Sequence, residues 1–333
     1  MDRSGMLAHI RSMPDQLRQG DRAGRSVDPG EARRVAFAGM GGSAIAADVF
    51  CAFARDRAQV PLEVVRGYEP PAYLGEGDVL VAVSYSGATE ETLSAAQIAL
   101  RKGCRLVAVT SGGRLRDLAR AHGAATAEVP PGLPPRAAFG HLFGAIVGLA
   151  RAWVPAEAAA DLESAAGHLE RLRASYDPEV PILRNRAKAL ARAIRGRTAV
   201  VYGPPPYGPV ALRWKTQLNE NAKVHAFAGT VPEADHNEIV GWSYDPAARR
   251  FVPIVLRDRD ESPDMERRLD ATREIIGRKV KVHEVRQDGD TLLGRLLGTL
   301  LLGDYASLYL AILLGRDPTP TAPIDELKRR LAR

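Results

Sequence analysis

The sequence contains few cysteines, few aromatic residues and no long uninterrupted apolar run, and each shortage argues against a class of protein. Cys51 and Cys104 are the only cysteines among 333 residues, too few for a disulfide scaffold and without a Cys-x-x-Cys pair for a metal. Aromatic residues make up 6% of the chain, so a stacking surface for nucleic acid is not expected. Charged residues and glycines interrupt the most apolar segment, 292–314, which argues against a membrane-spanning helix.

Lysine is also scarce, because 39 of the 46 basic residues are arginine. The net charge of +6 is spread along the chain, and a modest positive potential of this kind would attract a phosphorylated small molecule. The first residues, Met1-Asp2-Arg3, are not followed by the apolar core of a secretion signal. We therefore expect a cytoplasmic protein that binds a small anion and has neither a nucleic-acid nor a membrane partner.

Short β-branched segments alternate with amphipathic segments, a pattern typical of helices packed on a parallel sheet. The expected strands are 35–38, 62–66, 79–84, 106–110, 125–129, 198–202, 224–227, 252–256 and 280–285. Helices are expected at 1–19, 43–55, 89–102, from 115, 136–152, 156–173, 182–195, 207–221, 263–276 and 292–314, and loops at 21–31 and 317–323.

The strand pattern stops after the first five strands, gives way to two helical segments and then restarts. This restart predicts an α/β protein of two doubly wound, flavodoxin-like domains joined by helices. The expected domains are 1–153, a helical connector at 154–195, and 196–333 with a C-terminal helix.

Two of the expected strands lead into turns suited to an anion. The turn at 39–43 contains three glycines and a serine, and the turn at 84–89 contains the hydroxyl residues Ser84, Ser86 and Thr89. A helix is expected after each turn. Glycines let a ligand approach the backbone, helix N-termini offer free N–H groups, and hydroxyls donate to phosphate oxygens. Both turns are therefore candidates for holding a phosphate.

Each turn can also be read more simply. Ser43 and Thr89 suit ordinary helix caps. The spacing of Gly39, Gly41 and Ala44 also fits a dinucleotide fingerprint. However, the next strand does not end in the acidic residue that this fingerprint requires, so a sugar phosphate is the better prediction.

Six short blocks occur in one order and cover most of the chain from residue 35 to 331. They are Gly39-Met40-Gly41-Gly42-Ser43, Ser84-Tyr85-Ser86-Gly87-x-Thr89-Glu90-Glu91-Thr92, Pro135-Arg136-Ala137-Ala138, Asn219-Glu220-Asn221-Ala222-Lys223, Asp235-His236-Asn237-Glu238 and Ile324-Asp325-x-Leu327-Lys328. Together they resemble the bifunctional phosphoglucose/phosphomannose isomerases, a family of proteins with sugar-isomerase (SIS) domains.

The resemblance implies two SIS domains, a homodimer, a hexose phosphate substrate, and neither metal nor cofactor. Glu220 would move a proton between C2 and C1, and His236 would reach the site from the partner subunit to open the sugar ring. Arg136 would lie near the enediolate and Lys328 near the ring oxygen. Thr321, or Thr319 if the proline-rich loop shifts the match, would admit mannose phosphate. The implied phosphate ligands are Gly41, Gly42, Ser43, Ser84, Ser86 and Thr89.

Residue chemistry is compatible with these roles, since a carboxylate and a histidine supply the base and acid that ring opening and isomerisation need. One departure from the family pattern is Ala88, which stands where the serine turn usually has asparagine. Two alternatives stay open at this point. They are a sugar-phosphate sensor without catalysis and an isomerase of another sugar phosphate, since the fold and turns are common to all three.

Overall fold

A computed structural model describes residues 2–155 and 157–331 of the chain. Met1 and Ala156, where two of the expected helices begin, lie outside the described residues, as do the last two residues of the expected second domain.

The first sheet has five parallel strands in the order β2-β1-β3-β4-β5. The strands are β1 Val35–Ala38, β2 Leu62–Val65, β3 Val79–Val83, β4 Arg105–Thr110 and β5 Ala125–Glu128. The helices of this half are α1 Met6–Arg11, α2 Met13–Arg25, α3 Gly41–Ala54, α4 Glu90–Arg101, α5 Gly113–Ala121 and α6 Phe139–Leu149, with 3₁₀ turns at Pro135–Ala138 and Ala150–Ala152. This strand order is that of flavodoxin-like folds, and the predicted fold class is confirmed.

The second sheet repeats the arrangement with four parallel strands in the order β7-β6-β8-β9. The strands are β6 Thr198–Gly203, β7 Ala226–Thr230, β8 Phe251–Arg257 and β9 His283–Arg286. The helices are α7 Glu157–Ser175, α8 Arg186–Ile194, α9 Gly208–Glu220, α10 Glu238–Tyr244, α11 Pro263–Gly277, α12 Leu292–Leu313 and α13 Ala322–Leu331, with 3₁₀ turns at Glu233–His236 and Pro246–Arg250.

Helix α12 is long and apolar enough to cross a membrane by length and composition, yet 89% of its apolar window is buried inside the protein. It packs on α7, α8 and α9. Its two charged residues, Arg295 and Asp304, are both buried and both paired. These contacts are those of a core helix, and α12 carries the apolar contacts that join the connector helices to the second sheet.

The expected loop at 21–31 is wrong in its first part, because α2 continues to Arg25. The glycines that suggested a loop allow a close helix contact instead. A Cβ on Gly24 would stand 2.2 Å from the carbonyl oxygen of Ala145, and one on Gly20 would stand 2.1 Å from that of His141. Here glycine permits the backbones of α2 and α6 to touch.

The strand expected at 224–227 begins two residues later and continues to Thr230. Lys223 adopts a left-handed φ of 58°, and the Val224 amide bonds back to the Leu218 carbonyl at 3.4 Å. The chain therefore leaves α9 completely before β7 begins and pairs with β6. Helix α10 was not predicted, because its residues carry no clear apolar period.

Candidate active site

The two glycine- and hydroxyl-rich turns lie side by side at the carboxyl edge of the first sheet. β1 and β3 are neighbours, and the chain leaves them toward opposite ends of the sheet, to β2 and β4. Such a point, where the strand order reverses, forms a crevice that commonly binds ligands in open α/β sheets. The turns 39–42 and 84–89 form its two walls, and helices α3 and α4 begin there.

The second turn offers a ligand the exposed Ser86 hydroxyl and one proton of the Ser84–Thr89 pair, whose oxygens share a 2.9 Å hydrogen bond. Ser84 itself is 1% exposed, and the turn at 110–113 after β4 is a third hydroxyl-containing turn. In contrast, Thr110 donates to the Gly112 carbonyl at 2.8 Å and Ser111 donates to a backbone carbonyl at 2.6 Å. Hydroxyls that already donate internally contribute little to a ligand, so the third turn has a structural role.

Arg136 adjoins the first turn from the other side. The point where a Cβ on Gly42 would stand lies 3.5 Å from the Arg136 Cα. Arg136 is 5% exposed, and burial lowers its pKa although Glu220 acts in the opposite direction. An arginine keeps its charge even when buried, so a fixed positive charge lies next to the N-terminus of α3.

The guanidinium of Arg136 is fixed by its hydrogen bonds so that one nitrogen faces Glu220. Its Nε donates to Asn221 Oδ1 at 2.7 Å. Its Nη2 donates to the carbonyl oxygens of Pro318 and Thr319 at 2.6 and 2.9 Å. Nη1 lies 3.6 Å from Glu220 Oε2. Nη1 is thus the guanidinium nitrogen that is directed at the Glu220 carboxylate.

Glu220 ends helix α9, where its side chain is partly accessible with an exposure of 29%. Helix α9 packs against α3, which begins at the first turn. The structure therefore brings together four of the predicted elements: the first turn, Arg136, Glu220 and the loop at 317–319. They come from both halves of the chain.

A buried network of hydrogen bonds and one ion pair holds Arg136 in place. Arg213 pairs with Asp304 at 2.7 Å and donates to the Arg136 carbonyl at 3.1 Å. Asn221, which holds Arg136 Nε, donates to Ser307 Oγ at 2.9 Å, and Ser307 donates to the Asp304 carbonyl at 2.7 Å. Buried polar groups of this kind are favourable only when each finds its partner, so the network fixes Arg136 in one position.

Replacing Arg213 with methionine should lower the free energy of unfolding by about 3–5 kcal/mol, because Asp304 is left as an uncompensated buried charge. Both side chains are at most 2% exposed. Chemical denaturation measures the change. The double variant Arg213→Met/Asp304→Leu, which removes both charges, should recover a large part of the loss. Equal stability of the single and double variants would contradict this account.

His236 lies at the other end of the second sheet from Glu220. Because β6 and β7 are parallel, α9 returns the chain to the amino end of β7, and Glu220 ends that helix. His236 follows the carboxyl end of the same strand and is exposed. The five residues of β7 rise by about 13 Å from first to last. One protomer therefore does not place its own His236 beside its own Glu220.

The proline-rich loop presents Thr319, rather than Thr321, to the arginine. Thr319 accepts from Arg136 through its carbonyl, and its Oγ1 is buried without a partner among the described residues. Thr321 instead precedes α13 and accepts from the Ile324 amide at 2.9 Å. Lys328 is exposed on α13, a helix that buries none of its described residues. The structure thus does not enclose Lys328 in the site.

The carboxyl edge of the second sheet is chemically different from that of the first. Asp258 follows β8 at the reversal point between β6 and β8. It accepts a hydrogen bond from Tyr207 at the start of α9, and Arg295 binds it at 3.0 Å. A carboxylate therefore fills the position where the first sheet presents hydroxyls. The carboxylate is paired with Arg295, so this edge differs from the hydroxyl-containing turn of the first sheet.

His, Cys, Asp and Glu side chains within residues 2–155 and 157–331 form no group of three or more that could hold a metal ion. The charged neighbours of Glu220 in this part of the chain include the Arg136 guanidinium, which faces its carboxylate, and the Lys223 ammonium, which donates to its backbone carbonyl.

Sequence reasoning missed Arg213, Asp304 and Ser307 as supports of the site. A signal was available, since an aspartate inside a 22-residue apolar helix needs a buried cationic partner. The identity of that partner was not available from the sequence, because Arg213 lies 91 residues away in the chain.

Two protein families match the chain. The family described as "Bacterial phospho-glucose isomerase C-terminal SIS domain" matches residues 183–331, and the family described as "SIS domain" matches residues 30–124. The two matches fall on the two sheets.

Relatives with known names match the chain over two thirds to nearly all of its length. A bifunctional phosphoglucose/phosphomannose isomerase of Caldicellulosiruptor bescii is 36% identical over 98% of this chain and 99% of its own. The Thermoplasma acidophilum protein of the same name is 34% identical over 97% and 96%. A D-glucosamine-6-phosphate 4-epimerase of Sulfolobus acidocaldarius is 30% identical over 68% and 69%.

Solved structures show the same fold. A hypothetical protein of Thermus thermophilus superposes with a TM-score of 0.77 at 16% identity, covering 99% of this chain and 90% of its own.

Proposed function

The chain belongs to the bifunctional phosphoglucose/phosphomannose isomerase family, and we propose that it interconverts glucose 6-phosphate, mannose 6-phosphate and fructose 6-phosphate. The observation that carries the proposal is the fixed placement of Arg136 against Glu220, 3.6 Å apart, beside the first glycine turn. This arrangement supplies a base, a positive charge and an anion-binding edge within one crevice.

The phosphate would bind at the carboxyl edge of the first sheet. Gly41, Gly42 and Ser43 open α3, and Ser84, Ser86 and Thr89 line the turn before α4. Helix N-termini and hydroxyl donors favour a phosphate monoester. Because these groups are neutral, they would bind the phosphate without holding it too strongly for release.

Glu220 would remove the proton from C2 of the open-chain aldose and return it to C1. The intermediate is a cis-enediolate, whose negative charge needs a donor fixed in advance. Arg136 meets this need, since its Nε and Nη2 are held by Asn221 and by the loop carbonyls. Its Nη1, which faces Glu220, would donate to the enediolate oxygens. No step in this scheme requires a metal or a cofactor.

Ring opening comes first, and we assign it to His236 of the partner subunit. An acid must protonate the ring oxygen while a base takes the C1 hydroxyl proton, and imidazole can serve in both roles near neutral pH. Glu220 and His236 lie at opposite ends of β7 within one protomer. A homodimer that places the partner's His236 over the first protomer's crevice would complete the site.

Thr319 is better placed than Thr321 to give the intermediate room to rotate between the glucose and mannose configurations, because it adjoins Arg136. For Lys328 to contact the ring oxygen, α13 would have to pack closer to the active site, its own or the partner's, than it does in a single protomer. Both assignments stay proposals that rest on the family resemblance.

The proposed activity predicts fructose 6-phosphate formation from both aldose phosphates in the presence of EDTA. Each substrate is supplied separately to the purified protein, and the product is measured with a coupled assay. Turnover of glucose phosphate alone would contradict the dual specificity. Loss of activity on chelation, restored by a divalent metal, would contradict the metal-free mechanism.

Two other functions predict different results in the same assay. The epimerase relative indicates that related chains act on amino sugar phosphates, so glucosamine 6-phosphate belongs in the substrate panel. A sensor would bind sugar phosphate without converting it. The ion pair of Arg136 with Glu220 favours catalysis, since binding a neutral sugar ring does not require a carboxylate facing a buried guanidinium.

A further inference from the structure

Lys223 closes the carboxyl end of α9 and reaches across to the proline-rich loop. Its Nζ donates to the Glu220 carbonyl at 2.7 Å and to the Pro318 carbonyl at 2.9 Å. Lys223 is also the only residue other than glycine with a positive φ among the described residues, at 58°. Glycine is the favoured residue in this left-handed region, and the lysine found there makes contacts through its ammonium group that glycine would lack.

Arg316 makes the reciprocal contact from the loop side. Its Nη1 donates to the carbonyl oxygens of Ala222 and Lys223 at 2.8 and 2.7 Å. The carbonyls at the end of a helix lack partners within that helix, and Lys223 satisfies that of Glu220. Arg316 binds the two carbonyls just beyond the helix end, so the two cations link the end of α9 to the segment 316–319.

The Pro318 carbonyl is shared by Lys223 and by Arg136, at 2.9 and 2.6 Å. One loop carbonyl thus lies between the capping lysine and the arginine that faces Glu220. Burial lowers the pKa of Lys223, and the nearby Arg136 lowers it further. The Pro318 carbonyl oxygen offsets the repulsion between these two cations. The position of each cation therefore depends on the position of the loop.

We propose that Lys223 and Arg316 are positioning residues that hold the segment 317–319 against the end of α9. Through this segment they keep Arg136 and Thr319 in the positions that catalysis requires. They touch backbone carbonyls and are not assigned to the substrate. Without them the loop would move away from α9, and the Arg136 guanidinium would lose the carbonyl that fixes Nη2. A shift of about 1 Å in a group facing the reacting atoms can lower a rate by a factor of about 100.

The inference rests on the proposed isomerase activity, and Lys223→Met tests it. Methionine keeps an unbranched apolar side chain one atom shorter than that of lysine and removes the donor. We expect kcat on glucose 6-phosphate to fall by about tenfold to a hundredfold, with KM changed less than about twofold, because the phosphate turns lie in the other half of the chain. Lys223→Arg, which restores a donor, should recover much of kcat.

Lys102 offers a matched control. Its Nζ also donates to two backbone carbonyls of a proline-containing loop, those of Pro71 and Ala72 at 3.1 and 3.3 Å. Lys102→Met should leave kcat within about twofold of the parent protein. Equal kcat losses in the two methionine variants, or a loss at Lys223 that the arginine variant does not restore, would overturn the inference.

Amide hydrogen exchange provides a test that does not depend on turnover. The Thr319 amide donates to Asp317 Oδ1 at 3.1 Å within this segment, and it should exchange faster in Lys223→Met and in Arg316→Met than in the parent protein or in Lys102→Met. Unchanged exchange in this segment would overturn the inference whether or not the protein isomerises hexose phosphates. Absence of turnover by the parent protein, with faster exchange in the variants, would instead count against the proposed function alone.

Discussion

Replacing Glu220 with glutamine should lower kcat on glucose 6-phosphate and on mannose 6-phosphate by about 10³-fold. A positioned general base contributes a factor of about 10²–10⁴, and the amide cannot accept the C2 proton. The substitution keeps the size of the side chain, so the ion pair with Arg136 is lost without creating a cavity. Steady-state kinetics with each substrate measures the effect.

The same variant should still bind its substrates, because the phosphate turns are unchanged. In deuterated water the parent protein should introduce deuterium at C2 of the aldose phosphate, and Glu220→Gln should not. Glu179→Gln makes the same change at an exposed residue of the connector and should behave as the parent protein does. Continued deuterium exchange in the Glu220 variant would assign the base to another residue.

Replacing His236 with alanine should lower kcat by about 10²-fold or more, because ring opening loses its acid and base. His236 is exposed in the protomer, so the substitution should not change the free energy of unfolding. His122→Ala is a matched control at another exposed histidine. Kinetics and chemical denaturation of the two variants separate a catalytic effect from a structural one.

Mixing the two inactive variants tests where His236 acts. In a mixed dimer of a Glu220→Gln subunit and a His236→Ala subunit, one of the two sites would combine an intact Glu220 with an intact partner His236. Random reassociation makes about half of the dimers mixed, so about a quarter of the parent activity should return. Activity that stays at the level of the separate variants would place Glu220 and His236 in the same subunit's site.

The sequence alone predicted most of the strands, the helical connector and the restart of the α/β pattern, because these depend on local alternation of apolar and polar residues. It also predicted the two turns after β1 and β3, since glycine and hydroxyl residues directly after a buried strand are a local signal of a turn. The assignment of Glu220 and His236 came from the family resemblance, because a single glutamate or histidine carries no local signal of its role.

The contacts that build the site were decided by tertiary structure. Arg136 meets Glu220 and the loop at 317–319 only because α3 packs on α9 and the last loop returns to the end of that helix. The buried pair of Arg213 with Asp304 and the left-handed Lys223 are long-range or conformational features. The same holds for the glycines of α2, which look like loop residues until α6 packs against them.

Local patterns determine which elements form, because hydrogen bonding and side-chain alternation act over a few residues. Which polar groups meet depends on how whole elements pack, and this involves residues up to about 180 positions apart in the chain. For this protein the sequence determined the two sheets and the two glycine- and hydroxyl-rich turns, and the packing of the two halves determined the position of the charged groups around Glu220.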